Sequence, residues 1–589
     1  MFENWFSLLS AEFQVGIAIQ KAVIWVLQYM FCIRRGQVLN WSVRQFSSSF
    51  KWLKNCNSCG VTLQSEKPSG LGYYIKPETP QVGRFNTIED VKYLLFSQEI
   101  QNAKESANVT KMEDVKESLT KPIVCKRCSS AIYQNKYDIK DFPRYSYSDI
   151  EKYLKPDSSL SNIVPLPEFP FHMDLKVLKS SKHDVSLILS KGDQLLKDKT
   201  SIQNKVPVFF KDFLEYHLNI DTNKAIAVSA LRGWNIRTAY SMLKNNTYLI
   251  GNTNVGKSTF INALISKYLG YKININKFGN NEIGEPLKDQ KYGSIKQHIL
   301  NQSAGVSHLP NMTRDIQPYQ IDKKVLYDLP GYTSNMDEIH LESVIKKDWL
   351  QRVRKTSLFN TRKIKKKPYI SFNGTETGAC YTVGGMFFLV PPKGTINQVV
   401  KYIPGEPYQF KNVQKGLEVF KECYSIDKNV AHPLNKFCGI VESQCEISSY
   451  SRHVIPPFQG SIEIVFKDIG YILLRTTGKY QFKGFHEVWV PKGIDVCIRE
   501  PLEQLIDNGF YEHVNSKGKL AACPKDRPLF SSTYIIDRDE EATLNKIQKM
   551  YLQRTENDIS SRRSAKEDPL EVVSVMHNER PNLFWHYKW

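Results

Sequence analysis

Residues 251–258 read Gly-Asn-Thr-Asn-Val-Gly-Lys-Ser and fit the pattern G-x-x-x-x-G-K-[ST]. In this pattern the glycines let backbone N–H groups turn inward around a phosphate, the lysine reaches the phosphates, and the serine hydroxyl binds Mg²⁺. An apolar strand is predicted over 246–250 and a helix over 258–269, which is the required context. The predicted phosphate-loop residues are Gly251, Asn252, Thr253, Asn254, Val255, Gly256, Lys257, Ser258 and Thr259, with Lys257 also catalytic.

Two further motifs follow this loop. Residues 324–331 form a predicted hydrophobic strand that ends in D-x-P-G. Asp328 is expected to hold Mg²⁺ through water, and the Gly331 N–H, after Pro330, to reach the γ-phosphate. Thr313 lies between the loop and this strand and is the candidate catalytic threonine that closes on Mg²⁺ and the γ-phosphate. The predicted magnesium ligands are Ser258, Thr313 and Asp328.

Recognition of a guanine base requires a carboxylate that accepts hydrogen bonds from the N1–H and the amino group. This carboxylate normally follows the switch motifs, but nothing after Gly331 fits. Two apolar strands upstream of the phosphate loop, predicted over 185–190 and 225–230, instead end in suitable residues. The order is therefore two base motifs, the phosphate loop and then two switch motifs. The predicted base-binding residues are Ser190, Lys191, Asp193, Ser229 and Ala230.

This order resembles that of the circularly permuted GTPases of the YlqF/YawG class, and within it the YqeH-like proteins. The resemblance includes residues 254–264 and a paired-cysteine segment on the N-terminal side; it covers 50–335 well and 365–500 weakly. Among these proteins the chain looks most like the fungal mitochondrial "genetic interactor of prohibitins" group. The resemblance implies a P-loop GTPase that binds GTP or GDP with Mg²⁺ and acts in assembly of the small ribosomal subunit.

The chain departs from this family at two positions. Ser190 replaces an Asn whose amide bridges the base to the phosphate loop, whereas Asp193 is kept, so GTP preference with weakened affinity is expected. Tyr332 stands where Ras-like enzymes carry the Gln that orients water. Family members with a bulky residue there often recruit K⁺ through the phosphate-loop Asn, here Asn254, which implies slow, partner-dependent and potassium-dependent hydrolysis. An inactive scaffold is the alternative, and the intact phosphate and magnesium motifs argue against it.

Four of the eleven cysteines form the pairs Cys56/Cys59 and Cys125/Cys128. Two C-x-x-C pairs present four thiolates, which suit tetrahedral Zn²⁺. The distance between the pairs is longer than usual, so unconnected buried cysteines are the alternative. The resemblance favours zinc, because YqeH-like proteins carry such a segment before the GTPase domain. Residues 76–122 are interpreted as an inserted loop, and the other cysteines as core or surface thiols.

The start of the chain has features of a targeting segment. Residues 30–50 contain Arg, Ser and aromatic residues without an acid, and a matrix-type cleavage site is predicted near Phe46. Residues 1–29 fit a transit peptide poorly, and translation from Met30 is an alternative. A transmembrane anchor over 15–33 is not expected, because polar residues interrupt a span that needs about 20 apolar positions. The mitochondrial matrix is the predicted location.

The chain has 80 Lys and Arg against 60 Asp and Glu, a net charge of +20. This charge suits a nucleic-acid or anionic-membrane partner, although matrix proteins are commonly basic. Residues 346–367 hold ten basic residues and one acid, with Trp349 and Phe359 between them. Such a density can neutralise several phosphates, so contact with RNA is favoured over a solvated face.

Beyond residue 366, short alternating strands punctuated by Gly and Pro predict a β-rich domain in which His453 and His486 are structural. The predicted fold class is α/β, with a circularly permuted P-loop GTPase domain, an N-terminal zinc module and a β-rich C-terminal domain. The predicted divisions are a targeting segment at 1–46, a zinc module with its inserted loop at 47–140, the GTPase domain at 141–345, a basic arm at 346–367, the β-rich domain at 368–536, and a charged helix and tail at 537–589.

Two functions from different classes fit these features. The first is a slow mitochondrial GTPase whose nucleotide state controls binding to rRNA or a ribosomal subunit. The alternative is a mitochondrial factor linked to prohibitins and lipid metabolism without a direct ribosomal role. The family name suggests this alternative, but no transmembrane or lipid-binding motif in the sequence supports it.

Overall fold

The computed structural model describes most of the chain from residue 55 onward, and the described residues belong to one compact unit, Asn55–Trp589. The predicted targeting segment, the inserted loop at 76–122 and the tail beyond residue 549 lie outside the described residues. Within the described part, no helix has the length and apolar content needed to cross a membrane. The described residues are 55–75, 123–156, 158–180, 182–220, 224–269, 271–275, 281–286, 304–306, 309, 311–333, 339–355, 370–373, 379–425, 437–455, 458, 460–476, 483–525, 529–536, 540–546 and 548–549.

The first half of the unit contains a six-stranded sheet and a separate hairpin. In chain order the strands are β1 (Ser159–Pro165), β2 (Asp184–Ser190), β3 (Ala225–Ala227), β4 (Thr247–Ile250), β5 (Tyr271–Ile275), β6 (Asn281–Pro286), β7 (Gln317–Ile321) and β8 (Lys324–Asp328). The sheet order is β3-β2-β1-β4-β8-β7, and β5 pairs with β6. All neighbours in the sheet are parallel except β7, which runs antiparallel to β8 at one edge. The strands predicted over 185–190 and 246–250 are confirmed to within one residue at each end, whereas the strands predicted over 225–230 and 324–331 end earlier, at Ala227 and Asp328.

Helices cover both faces of this sheet. The helices of the unit include α1 (Lys126–Gln134), α2 (Tyr147–Glu151), α3 (Leu175–Leu178), α4 (Val206–Leu218), α5 (Ile236–Met242), α6 (Lys257–Leu269), α7 (Lys347–Lys355), α8 (Val413–Ser425) and α9 (Leu502–Asn515). Successive residues of β1 enter opposite cores: Val164 packs with α4, whereas Ile163 packs with α5 and α6. Continuously apolar strands are typical of a parallel sheet that is buried on both faces.

The second half of the unit is a β-sandwich. Its strands are β9 (Ile370–Asn373), β10 (Cys380–Val383), β11 (Phe388–Val390), β12 (Ile396–Tyr402), β13 (Pro407–Phe410), β14 (Tyr450–Ile455), β15 (Ser461–Phe466), β16 (Gly470–Thr476), β17 (His486–Pro491), β18 (Val496–Arg499), β19 (Phe530–Ser532) and β20 (Tyr534–Ile535). They form two antiparallel sheets, β13-β10-β11-β17-β14-β20 and β19-β18-β15-β16-β12-β9. We call the second of these the inner sheet, because it also faces the first half of the unit.

The inner sheet is buried on both of its faces. One face shares a core with the other sheet of the sandwich, in which Phe387 and Phe466 stack at 4.7 Å between ring centroids. Its opposite face packs against α4 and α9 through Tyr402 and Tyr471, whose rings stack at 4.3 Å. The inner sheet therefore joins the two halves through a continuous apolar core.

Arg499 adds a polar link at this junction. Its side chain is fully buried, and its Nε donates to Glu463 Oε2 at 2.7 Å. Its terminal nitrogens donate to the carbonyls of Pro167, at 2.9 Å, and of Phe169. A buried cation needs both a counter-charge and hydrogen bonds, and Arg499 has both.

The two histidines of the sandwich are structural, as predicted. His453 Nδ1 lies 2.6 Å from Thr533 Oγ1, and His486 Nε2 lies 2.8 Å from Asn397 Oδ1. Burial lowers the pKa of His453 to about 4 and the pKa of His486 to about 3. Both rings are therefore neutral members of the core at neutral pH.

The described half of the predicted basic arm is a helix packed into the sandwich. Helix α7 places Trp349 in the core at 4% exposure. Three glycines make room for its ring: a Cβ on Gly405, Gly439 or Gly384 would lie 2.5, 2.8 or 2.9 Å from it. The Trp349 ring is therefore part of the sandwich core and not an exposed aromatic group of the basic arm. Residues 356–367 lie outside the described residues.

Candidate nucleotide-binding site

A pocket opens at the carboxyl edge of the first sheet, where β2, β4 and β8 end. Ligands of open α/β sheets bind outside the carboxyl ends of the strands, where the strand order reverses. The predicted residues that line it are Ser190, Lys191, Asp193, Ala230, Thr253, Asn254, Gly256, Lys257, Ser258, Thr259, Thr313 and Gly331. The sequence did not predict Gln194, Leu231, Gly305, Val306, Leu309, Asn311, Met312 and Arg354, which complete the lining.

The other predicted residues, Ser229, Gly251, Asn252, Val255, Asp328 and Pro330, are not part of the lining. The Lys257 ammonium donates to the carbonyls of Gly251, at 2.9 Å, and Asn252, at 2.8 Å. Burial lowers the pKa of Lys257 to about 8, although Asp328 opposes this shift. The loop passes very close to β1, since a Cβ on Gly251 would lie 2.6 Å from the Ile163 carbonyl oxygen. The lysine is thus held against its own loop, with its charge available to an entering phosphate.

Ser258 and Asp328 form the part of the site that fits a magnesium ion. The Ser258 hydroxyl donates to Asp328 Oδ2 at 2.7 Å. Asp328 is 1% exposed, and its Oδ1 has no hydrogen-bond partner among the described residues. Burial raises the pKa of Asp328 to about 6, while Lys257 and Ser258 lower it. A hydroxyl beside a buried carboxylate with an unused oxygen is the donor set that Mg²⁺ and its waters require.

The two base motifs meet at Asp193. The Ser229 hydroxyl donates to Asp193 Oδ1 at 2.6 Å and itself accepts the Arg232 N–H at 3.0 Å. Asp193 is 3% exposed, and its Oδ2 has no hydrogen-bond partner among the described residues. A buried carboxylate with a fixed orientation and one unused oxygen can accept from paired N–H donors such as those of guanine.

Ser190 contacts the phosphate loop directly. Its hydroxyl donates to the Val255 carbonyl at 2.5 Å and lies 3.4 Å from the Val164 carbonyl. The side chain reaches the loop because β2 ends directly beside it, so Ser190 bridges the base motif and the loop. The expected loss of the amide that bridges the base itself to the loop stays a prediction.

Tyr332 lies away from the pocket, although Gly331 lines it. The ring is buried in an apolar cluster with Leu160 and Ile250, and it contacts Tyr147 edge-on at 5.8 Å. Burial raises the pKa of Tyr332 well above its usual value. Its side chain therefore belongs to the packing beneath the sheet.

Lys191 is held by a charged group that the sequence did not predict. Its ammonium lies 3.3 Å from Glu168 Oε1, and Glu168 Oε2 lies 2.9 Å from His172 Nε2. Asp468, in the turn between β15 and β16, lies 3.6 Å from the same histidine nitrogen. This group connects the base motif to the inner sheet. None of these residues belongs to a recognisable sequence motif. Only the contacts between them in the folded chain show that they belong to the surroundings of Lys191.

The two C-x-x-C pairs meet in one cluster. The four sulfur atoms of Cys56, Cys59, Cys125 and Cys128 lie within 4.8 Å of one another, and all four residues are buried. The Cys59 and Cys125 sulfurs are 4.0 Å apart. A Zn–S bond of about 2.3 Å in tetrahedral geometry places sulfur atoms about 3.8 Å apart. The cluster can therefore hold zinc with little change, which favours a joint site over unconnected thiols.

This cysteine cluster packs directly on the segment that carries Thr313. The Cys59 carbonyl accepts the Arg314 N–H at 2.9 Å, and the Asn57 carbonyl accepts the Gly305 N–H at 3.1 Å. Leu309 and Met312 join the same core as the cysteines. The segment predicted to be the first switch motif therefore packs against the cysteine cluster. The two segments are far apart in the chain, so the sequence did not indicate this contact.

Comparison with known proteins places this chain in a family. The family models "Genetic interactor of prohibitins 3 N-terminal domain" and "Genetic interactor of prohibitins 3, C-terminal domain" match residues 55–142 and 367–575. A protein of Vanderwaltozyma polyspora named "Genetic interactor of prohibitins 3, mitochondrial" is 54% identical over 95% of this chain and all of its own length. The chain belongs to the genetic interactor of prohibitins 3 family.

Other relatives with the same name agree with this assignment. The Zygosaccharomyces rouxii protein is 54% identical over 93% of this chain and 96% of its own length. The Saccharomyces cerevisiae protein is 49% identical over 93% of this chain and 98% of its own length. These relatives are named as mitochondrial, and the family member described here is mitochondrial as well.

The bridge made by Ser190 leads to a first prediction. Replacing Ser190 with Ala removes the hydrogen bond to Val255, and we expect the affinity for GDP to fall by about 2- to 10-fold, the equivalent of one net hydrogen bond. The control is Ser186→Ala, which removes a buried hydroxyl on the same strand, bonded to Ser161 and remote from the pocket. Titration with a fluorescent GDP analogue measures the affinity. Equal losses in the two variants would contradict a specific role for Ser190.

Proposed function

We propose that this mitochondrial protein is a guanine-nucleotide-binding GTPase of the circularly permuted P-loop class. The observation that carries the proposal is the carboxylate of Asp193, which Ser229 orients and which keeps one buried oxygen unused among the described residues. A phosphate loop by itself fits ATP as well as GTP. A buried, oriented carboxylate at the other end of the pocket favours guanine, because adenine offers no N1–H to it.

The order of the strands supports the permuted class. The two strands that precede the base motifs, β2 and β3, come before the phosphate-loop strand β4 in the chain but lie on one side of it in the sheet. Strands β8 and β7, which carry and precede the second switch motif, lie on the other side. A continuous nucleotide pocket therefore forms although the motifs are reordered, because the sheet depends on spatial neighbours and not on chain order.

Each part of the pocket has a role in this proposal. Lys257 would contact the β- and γ-phosphates, while Ser258, Thr313 and Asp328 would hold Mg²⁺, which would neutralise phosphate charge. The Gly331 N–H binds the γ-phosphate. In the reaction, a water oxygen bonds to the γ-phosphorus, the bond to the β–γ bridging oxygen breaks with its electron pair left on GDP, and the water proton ends on inorganic phosphate.

Slow hydrolysis fits the position of Tyr332, whose buried ring cannot orient water at the γ-phosphate.

We also propose that potassium stimulates hydrolysis by binding at Asn254. Asn254 lines the pocket, and its Nδ2 has no hydrogen-bond partner among the described residues. Its amide oxygen is the atom type that binds K⁺.

The proposal that Asp193 recognises guanine is tested by changing the hydrogen bonds that this side chain can accept. Asp193→Asn replaces one acceptor oxygen with an amide donor, which mismatches guanine and matches the extra carbonyl of xanthine. We expect the variant to lose at least about 100-fold in GDP affinity, the penalty of leaving buried polar groups unpaired, and to gain XDP binding. Competition titrations with GDP, XDP and ADP measure this exchange. Equal binding of GTP and ATP by the unaltered protein would refute guanine specificity.

We also propose that the cysteine cluster binds one Zn²⁺ that braces the first switch segment. Cys125→Ser removes one thiolate, and structural zinc affinity is itself folding free energy. We expect the zinc content to fall from about one per chain to none, together with a lower melting temperature and weaker GDP binding. Cys523→Ser, at a buried thiol remote from the cluster, is the control for losing a core sulfur. Unaltered protein that contains no zinc would contradict the proposal.

Two cellular roles remain open for this GTPase. The names of the relatives favour a role linked to prohibitins. Assembly of the small ribosomal subunit is supported by the net charge of +20 and by the resemblance to YqeH-like proteins. On the ribosomal proposal GTP orders the switch segments for binding to rRNA, and hydrolysis releases the protein.

Sedimentation of the tagged protein from lysed mitochondria distinguishes these roles. A ribosomal role predicts co-sedimentation with small-subunit particles in a non-hydrolysable GTP analogue and release in GDP. Changing Lys363, Lys365, Lys366 and Lys367 to Gln should then weaken RNA binding and reduce the slope of log affinity against log salt by about 0.7–0.9 for each lost phosphate contact. A prohibitin-linked role predicts co-purification with prohibitin complexes and absence from ribosomal fractions in either nucleotide.

A further inference from the structure

Helix α7 brings an arginine from the sandwich to the nucleotide pocket. Arg354, in the last turn of α7, lines the pocket together with Asn254, Thr313 and Gly331. We infer that Arg354 is a cation supplied by the protein itself to the transferring γ-phosphate, a catalytic residue for the GTPase reaction. This inference rests on the proposed function. It also gives Arg354 a role different from the RNA contact predicted for the basic segment 346–367.

The placement of Arg354 is rigid. Trp349 and Leu350, on the preceding turns of α7, are buried in the sandwich core. The Lys346 N–H at the start of the helix donates to the Gly439 carbonyl at 2.8 Å, and the Lys347 ammonium donates to the Tyr137 carbonyl at 2.9 Å. The helix is thus held on one side by the sandwich and on the other by the segment that follows the cysteine cluster. A catalytic cation that is positioned before the reaction needs little reorganisation during it.

An ion pair keeps Arg354 charged and in place. Its Nη1 donates to Glu342 Oε1 at 2.8 Å, and the two side chains are only 8% and 4% exposed. Burial would lower the pKa of Arg354, but the carboxylates of Glu342 and Asp468 raise it above its usual value. A guanidinium in such a water-poor position acts more strongly on phosphate charge than a solvated one does.

Arg354 and Lys257 approach the phosphate position from different sides. The Lys257 ammonium lies against the carbonyls of its own loop, within the turn. Arg354 instead borders an adjoining recess with Thr253 and Asn311. A cation at this position would offset the negative charge that grows as the electron pair moves onto the bridging oxygen of GDP. The Asn311–Thr313 segment closes the same space from the first switch motif.

The position beside Asn254 also relates Arg354 to potassium. Both residues line the nucleotide pocket and a second recess that leads toward the inner sheet. Arg354 would supply part of the positive charge that a potassium ion at Asn254 supplies, so both cations would act on the same phosphate charge. Removal of Arg354 should therefore make hydrolysis more dependent on K⁺.

The test compares the unaltered full-length protein with Arg354→Met and with Arg354→Met/Glu342→Gln. The double variant avoids leaving Glu342 as an unpaired buried charge, which would destabilise the fold on its own. Arg352→Met, at an exposed arginine of the same helix, is the matched control. The readouts are GDP affinity, formation of a complex of GDP with aluminium fluoride in Na⁺ or K⁺ buffer, single-turnover GTP hydrolysis and thermal unfolding.

We expect the unaltered protein and Arg352→Met to form the aluminium fluoride complex in Na⁺ buffer. The Arg354 variants should bind GDP within about threefold of the unaltered protein, because the interaction belongs to the transition state. They should fail to form the complex in Na⁺ and lose about 100- to 1000-fold in single-turnover rate.

A double variant that folds, binds GDP, forms the complex and hydrolyses GTP at the unaltered rate would overturn the inference. A folded double variant with a large loss of GDP affinity would overturn it too, since Arg354 would then act in ground-state binding. Failure of the unaltered protein to bind GDP would refute the proposed function itself, and the inference with it.

Discussion

The burial of the inner sheet on both faces is the constraint on which the rest of this structure depends. One face forms the sandwich core, and the other packs against α4 and α9 around Tyr402 and Tyr471. Fully burying a large apolar side chain contributes about 1.5–3 kcal/mol, so an interface with several aromatic residues resists separation. Arg499 then fixes the position of the inner sheet relative to the first half of the unit, since its hydrogen bonds to Glu463, Pro167 and Phe169 are all made in the apolar interior.

This junction explains how a C-terminal sandwich can take part in the proposed nucleotide site. Helix α7 is anchored in the sandwich through Trp349, yet Arg354 in its last turn lines the pocket. Asp468, from a turn of the inner sheet, approaches the His172 ring beside Glu168, which holds Lys191. The sandwich therefore contacts the residues of the pocket at two separate places.

The cysteine cluster has a comparable relation to the first switch segment. Arg314, next to Thr313, donates its N–H to the Cys59 carbonyl, and Met312 packs among the cysteines. If Thr313 is the switch threonine of the proposed GTPase, its segment is held by the cluster on one side and lines the pocket on the other. Nucleotide binding and metal binding are therefore expected to stabilise each other through this shared segment.

What the sequence by itself determined here is the local structure around short motifs. The predicted phosphate loop, the D-x-P-G turn and the predicted base motif depend on backbone geometry over a few residues, so strands β2, β4 and β8 and the residues at their ends could be predicted. The two C-x-x-C pairs indicated a common cluster for the same reason. Only the tertiary structure decided which distant residues complete these sites. The Ser190 bridge depends on how β2 ends beside the loop, Trp349 is buried because three separate glycines enclose its ring, and Arg354 reaches the pocket because the sandwich docks on α4. These contacts join residues far apart in the chain, and no local pattern records the packing that brings them together.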